Sequence, residues 1–201
     1  MRDQLEDEFQ QNTDRVKNLI LAFQLLEENN IEDSETRKDI LRAAVVFMHS
    51  TLEEIIRNLF IGLLPNGNNR HLNKIPFVGH EVHHPKGILL GHLKDFNGRF
   101  VENIILESIE NYVDTLNVNN TTQLSTLFEM VEISTESLRQ YFPELESLMK
   151  RRHQIVHQMD RSNELDPLME PVTNIELQTV IDWQNALHDF FSELLRLLAA
   201  R

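Results

Sequence analysis

The sequence predicts an all-α protein, a bundle of about four to six main helices, on three observations. Several long stretches repeat apolar residues at spacings of three and four, the period of a half-buried helix. No stretch holds the strict alternation of a strand. Five glycines and three prolines gather in residues 65–99, between periodic stretches.

Residues 1–29 read as one amphipathic helix, with Leu5, Phe9, Val16, Leu19, Ile20, Phe23 and Leu26 on its inner side. Asn29-Asn30 is its expected end. A second helix runs over about 34–64, capped by Ser34 or Thr36. Its middle, LRAAVVFMHSTLEEIIRNLF, is apolar around most of its circumference, so this helix should be central and buried. Pro65-Asn66-Gly67 stops it.

Residues 65–99 form a long irregular insertion with at most short helices. Five of the nine histidines fall there. A third helix is expected over 100–117, carried by Phe100, Ile104, Ile105, Ile109, Tyr112, Val113 and Leu116. A short one follows over 123–131, introduced by Asn119-Asn120-Thr121-Thr122. Thr135-Glu136-Ser137 begins another segment, and Pro143 suits the first turn of a helix continuing through Arg161. Pro167 and Pro171 mark a loop, and a last helix covers 174–199. Trp183 is expected in its core with Ile181, Leu187, Phe190, Phe191 and Leu194. There is no internal repeat, and residues 1–201 read as a single domain.

Hydrophobic residues make up 41% and charged residues 25% of the 201, a globular composition. The absence of cysteine excludes disulfides, thiolate metal sites and a cysteine nucleophile. The charged N-terminus lacks a secretory apolar region, and no apolar run reaches the roughly 20 residues of a bilayer span. The expectation is a soluble cytoplasmic protein. A net charge of −13 argues against nucleic acid unless a local basic patch exists.

Such a patch lies in PELESLMKRRHQIVHQMDR. On a helix advancing about 100° per residue, Leu145, Leu148, Met149, Ile155, Val156 and Met159 all fall within roughly 60° of Arg152. Arg152 therefore occupies the centre of an apolar stripe. A buried unpaired charge costs several kcal/mol, so the guanidinium must face an internal carboxylate or a wet cleft. His153 and His157 are four apart and adjacent on one face. Asp160, three residues beyond His157, is placed to orient its ring. Lys150, Arg151 and Arg161 complete the densest basic cluster of the chain and are candidate RNA contacts.

These residue types suit RNA cleavage. Attack of a ribose 2′-hydroxyl on the adjacent phosphate needs a proton acceptor and donor near neutral pH, which histidine provides. It needs a fixed cation on the phosphoryl oxygens, which a guanidinium provides. It needs no cofactor and no metal, and DNA lacks the attacking hydroxyl. The less specific reading is a buried ion pair at Arg152 with ordinary surface histidines.

Arg152-His153-Gln154-Ile155-Val156-His157 matches the R-x4-H motif of HEPN-superfamily nucleases, and RRHQIVHQMDR resembles the branch called RiboL-PSP-HEPN. RAAVVFMHSTLEEIIRNL resembles the central helix of that branch. The resemblance implies a HEPN-type helical bundle acting as an endoribonuclease, with Arg152 and His157 catalytic and His153 and Asp160 in support. It implies a homodimer in which the motifs of two chains meet at a shared cleft. That arrangement would reconcile the roughly 140° between Arg152 and His157 on one helix. Many relatives are toxins or defence ribonucleases held in check by an antitoxin or another regulatory protein. Some carry a modifiable tyrosine two residues after the motif histidine; Met159 stands there instead.

On the central helix, His49, Glu53 and Arg57 are spaced by four. Glu53 is the candidate to pair with the motif arginine or a histidine; the alternative is a self-contained ladder of side-chain pairs. His80, His83 and His84 match no zinc spacing, so they are expected to line the insertion or contact RNA with Arg70, Lys74 and Lys86. Two other function classes stay open: a non-catalytic HEPN module that binds RNA or protein, and a purely structural dimerising bundle.

Overall fold

The computed structural model describes residues 1–31, 33–78, 90–161 and 172–201. Among them are seven α-helices: α1 (Arg2–Glu28), α2 (Ser34–Leu63), α3 (Asn69–Leu72), α4 (Val101–Asp114), α5 (Thr121–Met130), α6 (Phe142–Gln158) and α7 (Leu177–Ala199). Short 3-10 turns follow α2 and precede α4 and α6. No strand occurs among the described residues, only an isolated bridge between Arg161 and Val172.

Helix α2 touches α1, α4, α6 and α7, so it is the central helix that its apolar circumference predicts. Asp33, rather than Ser34 or Thr36, caps it. Its carboxylate accepts from the backbone N–H of Glu35 and Thr36 at 2.9 and 3.0 Å and from the Thr36 hydroxyl at 2.6 Å. Helix α1 lays Leu5, Phe9, Val16, Ile20 and Phe23 inward, while Leu19 and Leu26 reach only the margin. Phe9 stacks on Phe191 of α7 at 4.0 Å between ring centroids, which ties the two ends of the chain together.

Helix α7 buries Trp183, Leu187, Phe190, Phe191 and Leu194; Ile181 packs at the edge of the core instead. Helix α4 starts at Val101, and Phe100, expected to open its apolar face, is 75% exposed. Glu146 of α6 reaches across to the first turn of α5, where its carboxylate accepts from the Thr121 N–H at 2.8 Å and hydroxyl at 3.0 Å. These contacts, led by the backbone N–H, hold the Glu146 carboxyl below its ordinary value.

The apolar stripe of α6 does not stay buried along its length. Leu145, Leu148 and Met149 are in the core, Ile155 is half-buried, Val156 is exposed and Met159 is 77% exposed. The last two turns of α6 leave the bundle, and Arg152 lies where they depart.

Candidate functional site

Helix α6 ends three residues earlier than the periodicity predicts. Met159 and Asp160 take left-handed backbone angles, φ 51° and 57°, and both N–H groups turn back toward the Gln154 carbonyl. This reversal removes Asp160 from the helix surface and sends it inward. Its side chain is 3% exposed, and Oδ2 accepts from Arg42 Nε at 2.6 Å and from Arg151 at 2.9 Å. Asp160 thus joins two arginines, and the expectation that it orients His157 is corrected: angular bookkeeping along an uninterrupted helix does not apply past Gln158.

The same cluster gathers the chain segment that enters α7. Arg42 donates to the Thr173 carbonyl at 3.0 Å, and Arg151 donates to the carbonyls of Thr173 and Asn174 at 2.9 and 3.1 Å. Gln154 donates to the Thr173 hydroxyl at 2.8 Å, and the Thr173 N–H donates to the Asp160 carbonyl at 2.7 Å. Arg151 is therefore mostly committed to the fold rather than open to a ligand, its side chain only 12% exposed. Arg42 escaped the sequence reading. The signal was available, because Arg42 interrupts an apolar helix as Arg152 does.

Arg152 is half-buried and forms no ion pair within bonding distance among the described residues; its Nε is buried without a hydrogen-bond partner. Its charge acts on Glu53 of α2. Burial pushes the Glu53 carboxyl up, but a contact with His49, the charges of His49 and Arg152 and the Val118 N–H outweigh it, so the group stays below its ordinary value. His49 is fully buried: Nε2 donates to the Val118 carbonyl at 2.9 Å, and Nδ1 lies 3.3 Å from Glu53, off the line of a good hydrogen bond. The row His49, Glu53, Arg57 is not a self-contained ladder, because Arg57 pairs with Asp114 on α4.

His153 and His157 are both exposed, with ring centroids 4.7 Å apart and planes at 44°. Lys150 is exposed and lies 3.5 Å from Glu146. Arg161 is exposed beyond the end of α6. Lys150, Arg151 and Gln154 border a groove of about 350 Å³ against Asn174, Ile175 and Trp183. His80, His83 and His84, with Lys86, lie outside the described residues. No group of three or more His, Cys, Asp or Glu side chains suited to a metal ion occurs among the described residues.

The structure therefore sorts the sequence candidates into two sets. Arg152 on α6 acts on the charge of Glu53 on α2, and His153 and His157 lie open to solvent on α6. Asp160 and Arg151 belong to a buried clamp with Arg42. The chain matches the family model described as RiboL-PSP-HEPN over residues 10–199. Neither a curated protein nor a solved structure matches it.

Proposed function

The chain belongs to the RiboL-PSP-HEPN family, and from that premise we propose that it is a metal-independent endoribonuclease working from α6. In this reading Arg152 holds the phosphoryl oxygens and His157 moves protons. The ribose 2′-oxygen bonds to phosphorus and gives up its proton; the 5′-oxygen leaves and gains one. The products carry a 2′,3′-cyclic phosphate and a 5′-hydroxyl. His153 supports His157, and Glu53 positions Arg152. Lys150 and Arg161 offer charge to the flanking strand.

The observation that carries this reading is a half-buried guanidinium with no bonded acid among the described residues, on the same helix as two exposed imidazoles, one adjacent in sequence and one five residues on. An arginine that merely fills a bundle is expected to be paired. A second copy of the chain completes the site: Val156 and Met159 present apolar surface beside the histidines, and a two-fold axis there brings two motifs into one cleft. The whole chain acts as one cytoplasmic domain, a toxin or defence effector restrained by an inhibitory protein.

The deciding experiment incubates RNA with the protein in EDTA and assays cyclic phosphate ends. His157→Ala should abolish them while the helical circular dichroism is retained. Undiminished cleavage by that variant would sink the reading. The net charge of −13 favours a second reading, a module that binds RNA or protein without cutting. Measurable RNA binding by the wild type with no cyclic ends would select it.

A further inference from the structure

His153 and His157 stand one turn apart on the solvent face of α6, and neither ring makes a hydrogen bond or ion pair among the described residues. Two histidines at this spacing on a helix supply two adjacent positions of a metal coordination sphere. The rings already face the same space, 4.7 Å between centroids and inclined at 44°, so rotation about their side-chain bonds brings one nitrogen of each to the 2.0–2.1 Å typical of imidazole on zinc. Their exposure leaves the remaining positions to water.

Lys150, Arg151 and Arg152 oppose a cation here, and carboxylates offset part of that charge: Glu146 lies 3.5 Å from Lys150, Asp160 pairs with Arg151, and Glu53 interacts with Arg152. Asp160, the carboxylate that sequence spacing offers as a third ligand, is withdrawn into its pair with Arg42 and Arg151. Among the described residues the site thus has two protein ligands, which suits a reversibly bound ion rather than a structural one.

We infer that His153 and His157 form a two-imidazole clip for a borderline divalent transition ion of the zinc class, and that occupation of the clip withdraws His157 from proton transfer. The binding half stands on the geometry alone. The inhibitory half rests on the nuclease reading.

Calorimetric titration with zinc chloride in the absence of RNA tests the first half, on the wild type and on the full-length variants His153→Ala and His157→Ala. Both positions are exposed, so both variants keep the fold. One zinc should bind per chain through the pair, and each variant should lose at least about tenfold in affinity, a loss seen even for residues that only support a ligand. Equal binding by all three proteins overturns the clip. So does no zinc binding by the wild type, and so does binding that disappears only when His80, His83 and His84 are replaced. For the second half, RNA cleavage by the wild type should stop at saturating zinc and return with EDTA. Cleavage unchanged at saturation overturns inhibition. A wild type that never cuts RNA refutes the nuclease reading and the inhibition with it, whereas the titration still decides the clip.

Discussion

Arg42 and Asp160, 118 positions apart in the chain, meet at 2.6 Å inside the bundle, and Arg151 joins the same carboxylate oxygen. One negative charge thereby fixes the end of α6 to α2 and to the segment leading into α7. Asp160→Ala removes that charge: Arg42 keeps Asp39 at 2.9 Å, but Arg151 is left with backbone carbonyls alone. Loss of one partner of a buried pair costs about 3–5 kcal/mol, and urea denaturation of Asp160→Ala should show a loss of that size. A change under about 1 kcal/mol would mean that the clamp is not structural.

Arg152 behaves oppositely because it has no such partner. Arg152→Met should leave stability within about 0.5 kcal/mol of the wild type. Under the proposed mechanism the same change should slow RNA cleavage about 10²–10³-fold, the loss typical for one stabilising donor. Arg152→Lys should restore little, since an ammonium cannot present a planar fork to phosphate. Unfolding of Arg152→Met, with its cleavage per folded molecule intact, would assign Arg152 to the core instead.

Glu53 gives a pH signature. Its folded carboxyl lies below the ordinary value of 4.5, so the unfolded chain takes up the proton first as pH falls. The stabilisation is complete above 4.5 and is lost as pH drops through the lowered folded value. Thermal melts of wild type and Glu53→Gln should differ most at neutral pH and converge in acid. A gap that is constant with pH would show that the charge of Glu53 contributes nothing.

Met159 carries a side chain at φ 51° while 77% exposed. A left-handed residue other than glycine costs roughly 1 kcal/mol or more. Glycine is the usual residue at this position of a helix end. Met159→Gly should therefore raise the denaturation midpoint, by about 0.5–1 kcal/mol of stability after the added freedom of the unfolded chain is subtracted. A lower midpoint would show that the Met159 side chain contributes packing of its own.

The periodic apolar residues determined the helices, because burial of one face is a local property of spacing. They marked α2 as central, and composition marked the insertion that follows it. The residues of the candidate site were also legible, since a cation among leucines is anomalous wherever the helix goes. Their partners were not. Asp160 was assigned to His157 on the assumption of an unbroken helix, and only the left-handed turn at Met159 and Asp160 redirects it to Arg42. Likewise Val156 and Met159 satisfy the helical period yet point to solvent, because α6 outruns the bundle it packs on. Spacing fixes which side chains share a helix face; where that helix stops, and what stands opposite it, is decided by contacts between residues more than a hundred positions apart, which no local pattern encodes.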